Sequence, residues 1–267
     1  MEQNYIDLGH KILKEGILEK TRVGNTLALH NQMMSFNLQK GFPLFTSKHV
    51  GHKSIIIETL WYLKGTTSIK YLEDNKVFVW SKFADENGDI GKTYSWQFRN
   101  FNGVDQVMDV IKRLNAEGEY TDRRAIINLY NVSELEEMSI PPCIGTIQFN
   151  AYWVAGQKYV DSSIYQRSGD FCLGVPYDIA EMALLTHIIA AYTDAKPMNM
   201  TFFYSNLHVY TIHTKTLNEQ LKEPLGKFPK LKYDALKIKE VKPEELTLDL
   251  FSFKGIEKRK KFAYELL

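Results

Sequence analysis

Two strand patterns followed by a long apolar helix constrain the fold of this chain more than any other feature. Residues 144–154 and 158–166 have the composition of strands and are joined across Ala155-Gly156, which predicts a hairpin. Pro176 then opens an apolar run over residues 177–192, which predicts a long helix. Helices and strands are mixed along the chain without strict alternation. We therefore expect an α+β fold, in which a large, mostly antiparallel or mixed sheet packs against helices.

Apolar spacing predicts the remaining elements. Leu8, Ile12 and Leu13 recur at helical spacing, and Gly16 lies near the expected end of that helix. Further helices are expected over residues 54–65, 104–114 and 208–221, further strands over 34–38, 125–130 and 201–204, and loops over 21–26 and 84–91. No linker, repeat or low-complexity tract divides the chain, so we expect a single domain over residues 1–267.

The charge balance and the cysteine content bound the function. The chain has 33 Lys and Arg against 32 Asp and Glu, a formal net charge of +1. Binders of nucleic acid or membrane surfaces concentrate positive charge, so neither DNA nor a membrane is an expected partner. A small anionic ligand needs only a few arginines. Two cysteines are too few for a disulfide framework, and residues 1–20 lack the pattern of a signal peptide. A cytoplasmic location is expected, in the host cytoplasm if a phage encodes the chain.

Several short polar motifs could carry chemistry, although each also has a structural explanation. Cys143 follows Pro141-Pro142 at the edge of a strand, but a cysteine is more often buried and inert, as we expect for Cys172. A solvated or structural role is the alternative for Arg123-Arg124, Arg167, His208 and the basic run 258–261.

The joint order of the motifs is more specific than any one of them. Matching stretches lie at residues 21–26, 41–44, 58–62, 84–91, 122–124, 141–143, 166–168, 173–180 and 208–210. Together they resemble the superfamily of thymidylate synthases and deoxycytidylate hydroxymethylases, over roughly residues 5–230. The resemblance implies an enzyme that attaches a one-carbon unit from 5,10-methylenetetrahydrofolate to C5 of a pyrimidine nucleoside monophosphate.

The resemblance also implies roles for individual residues. Catalysis would involve Cys143, Glu58, Tyr94, Arg167 and Asp178. The nucleotide would be bound by Arg22, Arg123, Arg124, Gln166, Ser168, Asp170, His208 and Tyr210. The folate would contact Lys48, Trp80, Asp170, Leu173, Gly174 and Tyr177. Arg123 and Arg124 would reach a phosphate site from the second subunit of a homodimer with shared active sites. No metal site is implied.

The implied chemistry explains why these residue types are needed. C5 of a pyrimidine is a poor nucleophile, and addition of a thiolate at C6 makes it reactive towards an electrophilic methylene group. The Arg167 guanidinium would favour the thiolate form of Cys143 and could also grip a phosphate.

Several positions depart from the synthase pattern. The synthase branch has an asparagine where this chain has Asp178. A carboxamide offers a donor and an acceptor to uracil, whereas a carboxylate offers only acceptors, which suits the amine of cytosine. Phage deoxycytidylate hydroxymethylases resemble this chain at that position and at 206–210. Ile144, Ser81 and Phe83 replace a histidine, an aspartate and a tryptophan, and the synthase C-terminal segment is absent.

These departures favour deoxycytidylate 5-hydroxymethylation, with water capturing the methylene group. The alternatives are a thymidylate synthase, a hydroxymethylase acting on deoxyuridylate or cytidylate, and a catalytically silent nucleotide- or RNA-binding relative. Retention of the thiol together with Glu58, Tyr94 and Arg167 argues against the silent relative, because a binding protein has no need of the thiol.

Overall fold

The computed structural model describes residues 2–116, 118 and 121–266, and one large sheet dominates them. Its strands are β1 Ile17–Lys20, β2 Asn25–Asn37, β3 Ile126–Asn128, β4 Ile144–Val154, β5 Gln157–Gln166, β6 Gly169–Asp170 and β7 Lys196–Tyr210. The order is β1-β2-β7-β5-β4-β3, with β6 also beside β7. The β5–β7 and β6–β7 pairs are parallel and the other pairs are antiparallel. The prediction of a large mixed sheet is thus confirmed.

Helices pack against this sheet and complete the α+β fold. They are α1 Gln3–Glu15, α2 His52–Tyr62, α3 Lys70–Asp74, α4 Tyr94–Arg99, α5 Gln106–Leu114, α6 Gly174–Tyr192, α7 Thr214–Gln220 and α8 Ala235–Lys239. A small separate ribbon pairs β8 Lys230–Lys232 with β9 Ser252–Lys254. Among the described residues, no helix has both the length and the apolarity needed to cross a bilayer.

Helix α6 is the centre of the core. It contacts β5, β6 and β7 on the sheet and α2 on its other side. Because it is covered on both sides, nearly all of its residues after the first turn are buried, which explains its continuous apolar sequence. Pro176 is tolerated because it lies in the first turn, where the backbone N–H has no partner within the helix.

The predicted hairpin is confirmed. Val154 pairs with Gln157, and the two residues between them, Ala155 and Gly156, have φ values of 49° and 76°. Positive φ at both central residues is the geometry of the two-residue turn that matches the twist of antiparallel strands.

The predicted boundaries near residue 208 were wrong. The helix expected over 208–221 begins at Thr214, and the strand expected over 201–204 extends to Tyr210. Residues 208–210 pair with β2, with His208 opposite Ala28 and Tyr210 opposite Thr26. Sheet pairing therefore overrides the helical spacing of these residues. The loop expected over 21–26 is also shorter, because residues 25–26 already belong to β2.

One face of the sheet carries large exposed apolar side chains. Met33, Phe203 and Tyr165 form a row across β2, β7 and β5, since Phe203 pairs with both of the others. Their exposed fractions are 56, 45 and 47 %. Such a row on a sheet is typical of an interaction surface.

Candidate active site

A cleft where β4 begins and β5 ends gathers most of the side chains predicted from the sequence. One cavity, of about 150 Å³, is lined by nine of them: Glu58, Trp80, Tyr94, Cys143, Gln166, Ser168, Asp170, Tyr177 and Asp178. A second cavity, of about 300 Å³, is lined by Leu173 and Gly174 and shares Glu58 and Tyr177 with the first. The two cavities thus adjoin at Glu58 and Tyr177.

The segment around Cys143 is fixed by bonds from two neighbouring elements. The backbone N–H of Cys143 donates to Tyr94 Oη at 2.6 Å. Arg167, just after β5, donates from Nε to Pro142 O at 2.9 Å and from Nη2 to Pro141 O at 2.8 Å. The β4–β5 register shifts between Ile144 and Thr146, an irregularity typical of strands next to active sites.

The electrostatics of the Cys143 thiol differ from the expectation. Burial raises its pKa above the ordinary value, and the nearby Asp178 and Asp170 act in the same direction. The Arg167 guanidinium lowers the pKa, as expected, but it does not outweigh burial. The thiol is therefore protonated at neutral pH before a ligand binds.

Asp178 is the fifth residue of α6 and faces Gln166. Gln166 Nε2 donates to Asp178 Oδ2 at 2.7 Å and to Ser168 O at 3.0 Å. Burial raises the pKa of Asp178 to about 7, with Glu58 and Asp170 adding to the effect and Gln166 opposing it. Gln166 Oε1 is buried and lacks a hydrogen-bond partner among the described residues. Such an acceptor fits an N–H group of a ligand.

A buried carboxyl cluster lies on the other side of the cavity. Glu58 Oε1 accepts from Trp80 Nε1 at 2.7 Å and from Tyr62 Oη at 3.3 Å. Burial raises the pKa of Glu58 to about 7. Glu181, on α6, also lines the cavity. Sequence reasoning missed it, although an acidic residue within the long, mostly apolar run of α6 was a detectable signal.

His208 has a defined tautomer. Asn206 Nδ2 donates to Glu19 Oε2 at 2.9 Å, since a carboxylate can only accept. The other amide atom, Asn206 Oδ1, must then accept from His208 Nδ1, at 2.9 Å. The second ring nitrogen, Nε2, is thereby left as an acceptor, which suits a sugar hydroxyl. Sequence reasoning did not identify Glu19 or Asn206 as contributors.

Seven of the predicted residues line neither cavity: Arg167 and His208, described above, and Arg22, Lys48, Arg123, Arg124 and Tyr210. Arg22 is exposed in the turn between β1 and β2, close enough to Tyr210 to affect its pKa. Arg123 and Arg124 are exposed beyond the other edge of the sheet, and Arg124 Nε bonds to Asp122 Oδ1 at 2.9 Å. Lys48, expected near the glutamate tail of the folate, is buried.

Lys48 lies between Cys172 and the C-terminal segment, residues 264–266. Its Nζ donates to Cys172 O at 2.6 Å and lies 4.9 Å from the centre of the Tyr264 ring. Burial lowers its pKa to about 8. A surface contact with a glutamate tail would require this ammonium group to leave both partners.

The C-terminal segment also covers part of the second cavity. Tyr264 Oη donates to Gln220 Oε1 at 2.6 Å, and Glu265 N donates to His213 Nε2 at 3.1 Å. Lys82 Nζ donates to Leu266 O at 3.2 Å, and the Leu266 side chain lines the cavity. Leu267 lies outside the described residues.

Asp170, Cys172 and His213 form a cluster of potential metal ligands, with one atom of each within 4.8 Å of the others. Because His213 Nε2 accepts from Glu265 N, the ring proton is on Nδ1. The ring therefore has no lone pair for a metal while the C-terminal segment is docked.

Comparison with known protein families gives one match. The family model described as "Thymidylate synthase" matches residues 3–266. The match therefore continues beyond residue 230, where the resemblance recognised from the sequence motifs ends.

Proposed function

This chain belongs to the thymidylate synthase family, and we propose that the reaction it catalyses is the hydroxymethylation of deoxycytidylate. The family consists of folate-dependent enzymes that transfer one-carbon units to C5 of pyrimidine nucleotides. The finer proposal rests chiefly on Asp178, an acidic group at the base-reading position, which shares a cavity with Cys143.

The protonation of Asp178 suits cytosine. N3 of neutral cytosine is an acceptor, so a bare carboxylate facing it would be repelled. A pKa of about 7 means that Asp178 can supply the missing proton at little cost. The proton would then be shared between Asp178 and N3, while the exocyclic amine donates to a carboxyl oxygen or to Gln166 Oε1. Ionised Asp178 would instead repel O4 of uracil.

The other side chains divide the remaining tasks in this proposal. Cys143 attacks C6, and Tyr94 and Glu58 move protons. Arg22, Arg167 and Ser168 hold the phosphate, and His208 and Tyr210 bind the sugar hydroxyl. The raised pKa of the Cys143 thiol implies that its proton is removed only once substrate is bound.

The second cavity fits a folate. Apolar side chains from Val77, Val79 and Leu173 line it, and it adjoins the cavity that contains Cys143 through Glu58 and Tyr177. Trp80, Asp170, Leu173, Gly174 and Tyr177 would hold the pterin of the folate. The bound folate supplies the methylene group.

One feature of the cavity supports capture of that methylene group by water. Phe83, which lines the cavity and packs on Trp80 with ring centres 6.0 Å apart, is smaller than the tryptophan of the synthases. The smaller ring leaves more room for water beside C5, and Glu58 is placed to accept a proton from it.

We also propose that the functional molecule is a homodimer. Arg123 and Arg124 are not among the residues that line either described cavity of their own chain. The exposed row of Met33, Phe203 and Tyr165 offers an apolar face for a second copy. A second subunit on this face could bring the arginine pair to the neighbouring phosphate site.

Replacement of the Asp178 carboxylate by a carboxamide tests which nucleotide is the substrate. Asp178→Asn should shift the preference from dCMP towards dUMP, since a carboxamide reads O4 and N3–H of uracil together. A mismatch that strands a buried polar group costs roughly 1–3 kcal/mol, so the kcat/KM ratio should change at least about fivefold. Asp74→Asn, at an exposed carboxylate bonded to Lys70, is the charge-matched control. Faster turnover of dUMP than of dCMP by the unmodified protein would refute the proposal.

A further inference from the structure

Glu181 is a buried carboxyl group to which the proposed reaction assigns no role. It lies on α6, three residues after Asp178, and lines the cavity that contains Cys143. Its exposed fraction is 1 %. Tyr62 Oη donates to Glu181 Oε2 at 2.9 Å and lies 3.3 Å from Glu58 Oε1. One phenol thus bridges two buried carboxyl groups.

The carboxyl pair must hold a proton of its own. Tyr62 has a single hydroxyl proton, so it cannot satisfy both groups. Glu181 Oε1 is buried and has no hydrogen-bond partner in the described part of the chain. The carboxyl groups of Glu58 and Glu181 are within hydrogen-bonding reach of each other. Two carboxylates this close in a buried site do not both ionise.

Hydrogen-bond donors decide which of the two keeps the proton. Both groups lie within reach of Tyr62 Oη, but Glu58 alone also accepts from Trp80 Nε1, at 2.7 Å, and donors stabilise the ionised form. Burial first, and then the charge of Glu58, raise the pKa of Glu181 well above its ordinary value. In the described part of the chain, the other titratable groups facing the pair are Tyr62 of α2, Tyr94 of α4, and Tyr177 and Asp178 of α6, and none of them is a cation.

We propose that Glu181 is a positioning residue for Glu58, which it serves by keeping a proton and donating it in a hydrogen bond to the Glu58 carboxylate. This bond would favour the ionised form of Glu58 and fix its orientation. Without a donor at this place, Glu58 would lie beside an apolar or a negatively charged neighbour, and its ionised form would be disfavoured.

The inference rests on the proposed hydroxymethylation, in which Glu58 accepts a proton from water. The water oxygen bonds to the methylene carbon attached to C5. The electron pair of that exocyclic double bond re-forms the C5–C6 double bond, and Cys143 leaves C6 as the thiolate. The proton lost by the water passes to Glu58.

A pair of substitutions separates hydrogen-bond donation from packing. Glu181→Gln keeps a donor to Glu58, whereas Glu181→Met has similar length and no donor. Turnover of dCMP at pH 7 should stay close to wild type in Glu181→Gln and fall roughly three- to tenfold in Glu181→Met, the factor expected for one buried hydrogen bond. The acid limb of the kcat–pH profile should move to higher pH in Glu181→Met alone. Equal effects of the two substitutions would overturn the inference.

An infrared measurement tests the inference without substrate and without the Met variant. At about pH 8, Glu58 and Asp178 are mostly ionised, because both have a pKa of about 7. The spectrum of the wild type minus that of Glu181→Gln should then contain the stretching band of a protonated carboxyl group. A difference spectrum without that band would overturn the inference, whether the product of the enzyme is hydroxymethylated or methylated.

Discussion

Cys143 and Arg167 lie together because β4 and β5 are adjacent. Cys143 directly precedes β4, Arg167 directly follows β5, and Arg167 N donates to Cys143 O at 2.8 Å. The guanidinium then bonds to both proline carbonyls ahead of the thiol. One arginine therefore both shapes the segment that presents Cys143 and opposes the rise of its pKa.

The rate at which Cys143 is alkylated should reveal the effect of Arg167 on the pKa of the thiol. The thiolate is the reactive form, and burial raises its pKa, so the rate of reaction with iodoacetamide should still be rising above pH 8. Arg167→Gln removes the positive charge that lowers the pKa of the thiol and should slow alkylation at neutral pH about tenfold.

Cys143→Ser is the control for that experiment, since Cys172 is fully buried and should not react. Alkylation of Arg167→Gln at the wild-type rate would show that the guanidinium has no electrostatic role.

At the residue level, the sequence was sufficient to name candidate site residues that belong to a recognised motif. It was not sufficient to predict the pKa values and side-chain pairs that depend on burial. Asp178 could be named from its motif, but its pKa of about 7 follows from the closure of α6 and β5 around it. Glu181 belongs to no matched motif, and only the contact with Tyr62 reveals its pairing with Glu58.

Among the elements, those with strong local signals were predicted and those set by tertiary pairing were not. The β4–β5 hairpin has its own turn sequence, so residues 155–156 sufficed to place it. The end of β7 is determined by its pairing with β2, which lies far earlier along the chain: Ala28 and His208, for example, are 180 residues apart. The apolar spacing of residues 208–213 is helical, and nothing in that short stretch of sequence indicates that residues 208–210 pair with β2.

The C-terminal segment is an element whose function can be tested by truncation. Removal of residues 264–267 would expose Lys48 and open the second cavity at Leu266. The KM for the folate should rise roughly tenfold, equivalent to about 1.4 kcal/mol, with little change in dCMP affinity.

Tyr264→Phe is the matched variant for the truncation. It keeps the ring over Lys48, loses the hydroxyl that bonds to Gln220, and should have a smaller effect on the folate KM. A loss of dCMP affinity with an unchanged folate KM would contradict a lid role for this segment.

At the scale of the whole molecule, the proposed sharing of active sites predicts complementation between inactive subunits. Arg124→Ala should damage the site of the neighbouring subunit, whereas Cys143→Ala damages its own. A hybrid dimer of the two variants contains one intact site, so mixing them should restore up to about one quarter of wild-type activity if subunits exchange at random. Sedimentation that shows an active monomer, or mixtures that remain inactive, would contradict the dimer.

The identity of the product tests the central claim most directly. The purified protein should be incubated with methylenetetrahydrofolate and with dCMP, dUMP or CMP in turn. The mass of each nucleotide and the ultraviolet absorbance of the folate should then be measured. Hydration of the methylene group predicts 5-hydroxymethyl-dCMP together with tetrahydrofolate. A methylated nucleotide formed with an equal amount of dihydrofolate would contradict the account and identify the enzyme as a thymidylate synthase in activity as well as in family.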